Sequence, residues 1–115
     1  MKLHEWNRIP KEQLSGQLAR QVIHGANLTV ARIALAKGAV VPRHSHENEQ
    51  MTVLVEGLLR FVFDDREKLL SPGQVMEIPP NAPHKVEALE DSLAMDLFAP
   101  RREDWIRGDD AYLRR

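Results

Sequence analysis

The sequence predicts an all-β domain, a sandwich or barrel of short antiparallel strands. Short runs rich in Val, Ile, Leu, Phe and Thr recur at intervals of about 8–12 residues, the spacing of strands in small β folds. Seven prolines and six glycines are spread between those runs as punctuation rather than gathered into a linker. Stretches of helical periodicity are nearly absent.

The elements follow in order. Residues 6–14 hold a short helical turn. Residues 17–24 form a strand in which Leu18, Arg20 and Val22 alternate against their neighbours. Gly25-Ala26-Asn27 turns the chain, and residues 28–36 return with Leu28, Val30, Ile33 and Leu35 as the apolar set. Residues 38–42 break the chain. Residues 50–56 are strand-like up to Gly57, residues 58–63 form the next run, and Asp64-Asp65-Arg66-Glu67-Lys68 is a charged turn. Ser71-Pro72-Gly73 is a strong turn, residues 75–78 a short strand, and Pro79-Pro80-Asn81-Ala82-Pro83 its stiff closure. Residues 86–89 and 93–98 complete the series, and residues 103–113 hold a short C-terminal helix. No internal repeat or linker divides the chain, so residues 1–115 are expected to form one domain.

Composition narrows the function. Hydrophobic residues are 43% and charged residues 29%, the mixture of a globular chain with a core. Net charge is −1 with a pI near 6.5, so neither nucleic acid nor an anionic membrane is an expected partner. There is no cysteine, which excludes disulfides, thiolate nucleophiles, Cys-type zinc sites and Fe–S clusters. The N-terminus is charged where a signal peptide needs an apolar run, and no stretch approaches the roughly 20 apolar residues of a spanning helix. A cytoplasmic protein is expected.

Five histidines are present. His4 and His24 read as structural or exposed. His44 and His46 are two apart, and in an extended segment both side chains share one face. Gln50 has the same parity and offers a neutral amide oxygen, whereas Glu49 points to the opposite face. His84 follows the proline-stiffened segment 79–83, which holds an imidazole at little entropic cost. Any one of these could be a satisfied or solvated side chain, and Glu47 and Glu49 could simply keep the loop soluble. The joint pattern is that of a first-row metal site.

The spacings also carry a resemblance. Gly38, five residues, His44, Ser45, His46, three residues, Gln50, six residues and Gly57 reproduce the spacing of the first cupin motif, G-x5-H-x-H-x3,4-E-x6-G. Gly73, five residues, Pro79, then Asn81, His84 and Ala88 reproduce that of the second, G-x5-P-x-G-x2-H-x3-N. The chain therefore resembles a single-domain cupin, with motifs near 38–57 and 73–88. The resemblance implies a double-stranded β-helix, or jelly-roll barrel, of two antiparallel sheets. It carries His44, His46, Gln50 and His84 as ligands of one divalent transition metal. Three positions depart: Gln50 stands for Glu, Asn81 for Gly and Ala88 for Asn. Asn tolerates positive φ, so Asn81 is a mild change. Gln50 leaves the ion its full +2 charge, which favours Lewis-acid chemistry on an anionic substrate over oxygen chemistry. The metal is not encoded; Mn, Fe, Co, Ni, Cu and Zn all suit such ligands.

In the last strand Ala94, Asp96 and Phe98 share one face and Leu93, Met95 and Leu97 the other. Asp96 has two readings: an exposed or arginine-paired carboxylate, or a general base aimed into the barrel. The stretch Met95-Asp96-Leu97-Phe98-Ala99-Pro100-Arg101-Arg102-Glu103-Asp104-Trp105 is similar to the C-terminal segment of KdgF-type cupins of pectin degradation. That resemblance implies conversion of 4,5-unsaturated uronates to the linear keto acid. By it, Asp96 moves the proton, Phe98 shapes the cavity and Arg102 is a candidate for the substrate carboxylate; Arg102 could equally be a surface charge paired with Glu103 or Asp104. The tail, residues 107–115, reads as a solvated end. An Fe(II) dioxygenase and a non-enzymatic sugar- or metabolite-binding module are the alternatives. The strands around residues 18–35 are apolar on more than one face, so a homodimer is expected, with Trp6 and Trp105 either at that contact or capping the barrel.

Overall fold

The computed structural model describes residues 1–114. Its strands are β1 (Glu12–Gln13), β2 (Leu18–His24), β3 (Thr29–Leu35), β4 (Val40–His44), β5 (Glu49–Glu56), β6 (Leu59–Phe63), β7 (Glu67–Leu70), β8 (Val75–Ile78), β9 (His84–Ala88) and β10 (Ser92–Ala99). A helical turn, α1 (Glu103–Ile106), follows, and 3-10 turns lie at Trp6–Arg8 and Ala111–Leu113. The strands form two antiparallel sheets: a six-stranded one in the order β1-β2-β3-β10-β5-β8 and a four-stranded one in the order β4-β9-β6-β7. The predicted all-β, double-sheet architecture is therefore present.

Strict alternation builds the core. Thr29, Ala31, Ile33 and Leu35 of β3 are buried and the residues between them are only partly so. They meet Leu54, Ala94 and Phe98 of the same sheet and Leu59, Phe61, Leu70, Val86 and Ala88 of the other. Each of the Leu, Ile, Val and Phe side chains among them contributes about 1.5–3 kcal/mol by leaving water, so the inward faces hold the sheets together. At Gly57, φ is 98°, and a Cβ there would overlap Ser92. Only glycine closes that turn without strain.

Four expectations are corrected. Residues 38–42 are not a break: the turn ends at Gly38, and Val40–His44 is a strand. Pro42 is tolerated there because β4 is an edge strand whose register with β9 shifts between Val41 and His44. The charged turn ends early, since Glu67 and Lys68 pair with Val62 and Phe61 on an edge that charge protects from further pairing. Residues 6–14 are helical only over Trp6–Arg8; Glu12 and Gln13 pair with Arg20 and Ala19. The expected C-terminal helix is split by Gly108, whose φ of 84° ends α1. Among the described residues, no helix is long and apolar enough to cross a membrane.

Candidate metal centre

His44 closes β4 and stands directly opposite His84, the first residue of β9. Both belong to the four-stranded sheet. Gln50 and Thr52 on β5, with their cross-strand partners Phe98 and Asp96 on β10, face them from the other sheet. His46 sits between the sheets, in the connection from β4 to β5. Strand parity therefore does not unite His44, His46 and Gln50, as expected from the sequence; a tied-down loop does. The Asn81 backbone N–H donates to His46 O at 2.8 Å, from a residue with φ 66° that asparagine accommodates. On the other side Asn48 Nδ2 donates to the carbonyls of Pro100 and Arg101.

The three rings converge, with centroids 4.3, 5.3 and 5.7 Å apart. One nitrogen from each lies within 4.8 Å of the others. Each Nδ1 is used up by a carbonyl two residues away: His44 by Pro42 O at 2.8 Å, His46 by Asn48 O at 3.0 Å, His84 by Ala82 O at 2.8 Å. A carbonyl accepts only, so Nδ1 carries the proton and each Nε2 presents a lone pair. His84 Nε2 is buried without a partner. His46 Nε2 lies 2.9 Å from Gln50 Oε1, an acceptor facing an acceptor. Two ligands at right angles on a first-row ion, with bonds of about 2.1 Å, stand about 3 Å apart. The donor set therefore fits a divalent metal. Burial, and then the charges of neighbouring His84 and Arg102, hold His44 and His46 down at about 4. Burial also lowers His84. All three are neutral, metal-ready imidazoles at pH 7. Gln50 is buried, whereas Glu47 and Glu49 are exposed.

Asp96 points inward with Ala94 and Phe98. Thr52 Oγ1 donates to Asp96 Oδ1 at 2.6 Å and accepts from Gln50 Nε2 at 2.9 Å. The carboxylate thus sets the direction of the whole line: Thr52 must donate to it, the Gln50 amide nitrogen must face Thr52, and Oε1 must face His46. Burial pushes Asp96 up to about 6, against the Thr52 hydrogen bond and the charge of Arg102. Phe98 is buried and meets His46 edge to face, with centroids 5.5 Å apart.

Arg102 is 1% exposed, so it is not a surface charge. Nε and Nη2 donate to the Asp104 carboxylate at 2.9 and 2.8 Å, and Nη2 also to Tyr112 Oη at 3.0 Å. Its guanidinium lies 4.6 Å from the Phe98 ring centre and 4.2 Å from that of Trp105. The pairing with Asp104 is thus present, but inside the molecule. His44, Gln50, His84, Asp96 and Arg102 line one cavity of about 60 Å³. That is room for a few waters or one small molecule.

The model of the cupin domain matches residues 31–99. The chain belongs to the cupin family. Three solved structures match it over nearly their whole length. An RmlC-like cupin from Shewanella frigidimarina is 27% identical over 91% of this chain and 96% of its own, with a TM-score of 0.84. KdgF from a Halomonas species is 30% identical over 86% and 94%, with a TM-score of 0.80. An RmlC-like cupin from Desulfovibrio desulfuricans is 28% identical over 88% and 98%, with a TM-score of 0.70. No curated protein matches the chain.

The sequence reading of this cupin missed two cavity residues, Thr52 and Tyr112, and left Trp105 between two places. Thr52 is a β-branched residue of the kind strands commonly carry, and only its register opposite Asp96 marks it. Trp105 is buried against Phe98 with centroids 5.2 Å apart; it caps the barrel from inside. Tyr112 belongs to the tail expected to be solvated, yet it stacks on His44 at 4.7 Å. Asp110 in that tail is buried and accepts from Arg20 and Arg114. Residue 115, the end of the tail, lies outside the described residues. His4 and His24 are exposed.

Proposed function

We propose that this cupin is a metal-dependent isomerase of a small anionic carbohydrate, opening a 4,5-unsaturated uronate to its linear keto acid. The observation that carries the reading is the hydrogen-bonded line Gln50–Thr52–Asp96, which turns Gln50 Oε1 towards His46 Nε2. It puts a proton-accepting carboxylate in the same cavity as a metal-binding face. The resemblance to KdgF-type cupins supplies the substrate class.

His44, His46, Gln50 and His84 would hold the ion. A divalent metal supplies Lewis-acid polarisation of a substrate oxygen. Asp96, raised to about 6, is ionised at pH 7 yet basic enough to take the anomeric hydroxyl proton. As the ring C–O bond breaks, the ring oxygen becomes the ketone at C5 and the C4=C5 pair takes a proton at C4. The proton lost from the hydroxyl and the proton gained at carbon balance, so no co-reactant is needed. Phe98 and Trp105 keep the reacting carbons in apolar surroundings, and Arg102 supplies positive charge for the carboxylate. The test is a near-ultraviolet time course on a 4,5-unsaturated uronate with metal-loaded and chelator-stripped protein. Loss of the enol-ether absorbance only in the loaded sample, and its collapse in Asp96→Asn, is the expected result. Equal traces with and without metal would remove the assignment.

The homodimer belongs to the same proposal. Leu97, Met51, Val75 and Val55 are exposed on the outer face of the six-stranded sheet, an apolar surface suited to a second copy.

A further inference from the structure

Tyr112 Oη sits where two donors meet. Arg102 Nη2 reaches it at 3.0 Å and Trp105 Nε1 at 3.3 Å. Neither guanidinium nor indole nitrogen can accept, so the phenol oxygen is the acceptor in both bonds. Its own hydrogen is then uncommitted, and it has no acceptor among the described residues. The ring is held flat on His44, with planes 29° apart, and it lines the same cavity as His84 and Asp96. Arg102 repeats the pattern: Nε and Nη2 are engaged, while Nη1 has no hydrogen-bond partner among the described residues. Two donors of one cavity wall thus stand side by side with capacity to spare. An oxygen anion is what satisfies both, because donation to a charged acceptor is about twice as strong as to a neutral one.

We propose that Tyr112, carried over the barrel mouth by the C-terminal turn, is a substrate-positioning residue that donates its phenol hydrogen to a ligand carboxylate beside Arg102. The inference deepens the proposed function and rests on this cavity being the ligand site. It does not depend on which bond the enzyme breaks. The stacking contact with His44 then has a purpose: it fixes the distance between the carboxylate end of a ligand and the metal-binding face. The buried Asp110, bonded to Arg20 and Arg114, anchors the turn that presents the phenol.

Tyr112 is the chain's single tyrosine. Growth on 3-fluorotyrosine therefore labels this site alone in the full-length protein. The probe is glycolate, a carboxylate with one hydroxyl, titrated calorimetrically into Mn- or Zn-loaded protein. Tyr112→Phe keeps the ring on His44 and leaves Arg102 held by Asp104. It is expected to weaken glycolate roughly ten- to a hundred-fold, the worth of a hydrogen bond to a charged group. Metal affinity should stay as in the wild type, which a role confined to shaping the metal-binding face would not allow, while the melting temperature falls by the loss of the acceptor shared by Trp105 and Arg102. The fluorine signal of the labelled Zn protein should shift as glycolate saturates. Unaltered glycolate affinity in Tyr112→Phe, a fluorine signal blind to glycolate, or no glycolate binding by the wild type would each overturn the proposal. Glycolate binding with this dependence, but no turnover of the unsaturated uronate, would instead overturn the reaction and leave Tyr112 in its role.

Discussion

Gln50 Oε1 faces His46 Nε2 at 2.9 Å although neither atom has a proton to offer the other. The carbonyl of Asn48 claims the imidazole proton, and Thr52 claims the amide nitrogen. Two lone pairs at that separation repel unless a cation lies between them. Gln50→Glu adds a negative charge at the same place. The variant is expected to hold a divalent metal about ten-fold more tightly, measured by competition with a chelating dye, and to turn over more slowly because the ion's Lewis acidity is partly neutralised. Unchanged metal affinity would show that the amide is not a ligand.

Thr52 makes Gln50 directional. Its hydroxyl donates to Asp96 and so can only accept from the amide. Thr52→Val keeps the shape and removes both bonds. The amide is then free to turn its nitrogen towards His46, and a loss of about 10–100-fold in metal affinity is expected. Thr52→Ser should restore most of it. Asp96, released from a bond that favours its ionised form, should titrate higher still. Equal metal affinities for the Val and Ser variants would dissociate Thr52 from the centre.

Acid stability has opposing contributions. Asp96 sits at about 6 in the fold against 3.8 free, so its contribution is fully present below 3.8 and is lost as pH rises through about 6. His44 and His46 sit at about 4 against 6.5, so theirs is present above 6.5 and lost as pH falls through about 4. Two imidazoles outweigh one carboxylate. Metal-stripped protein should therefore lose melting temperature steadily from pH 6.5 to 4, by calorimetry. Stripped Asp96→Asn should be more stable than wild type by up to about 3 kcal/mol at pH 8, with the gain vanishing near pH 4. A stripped protein equally stable at pH 7 and pH 4 would contradict the buried neutral imidazoles. Turnover by loaded wild type should rise as Asp96 ionises, with a midpoint at or below the metal-free value of about 6 because the ion's charge favours the carboxylate.

The strands were legible because their signals are local, and the spacing of the two cupin motifs is what singles out His44, His46, Gln50 and His84 as candidates. Alternation puts Asp96 and Phe98 on one face of the last strand but leaves open whether that face is buried. What escaped was long-range. Residues 38–42 read as a break since Gly38 and Pro42 bound them, and only pairing with β9 makes Val40–His44 a strand. Thr52 becomes informative once register sets it against Asp96. The charged tail reads as solvated, but Asp110 is matched by Arg20, ninety positions away in sequence, and that pairing folds Tyr112 onto His44. Charge run by run along a sequence does not reveal its partner across the fold.

The outer face of the six-stranded sheet makes the last prediction. Register places Ile23, Val30, Leu97 and Met51 in one row across β2, β3, β10 and β5. Met95, Val53 and Val75 make the next. Arg32 lies on the β3 side of this surface, with Glu56 and Glu77 on the β5 and β8 side, and none of the three forms an ion pair among the described residues. In the proposed dimer, a two-fold axis near β10 would bring Arg32 of one copy towards Glu56 and Glu77 of the other. Sedimentation should show a dimer for the wild type and a monomer for Leu97→Arg, which places a charge in the apolar row without touching the cavity. Because His44, His84 and Asp96 all face inward, the monomeric variant should keep wild-type metal affinity. A wild type that sediments as a monomer at high concentration would leave this surface without a second copy to cover it.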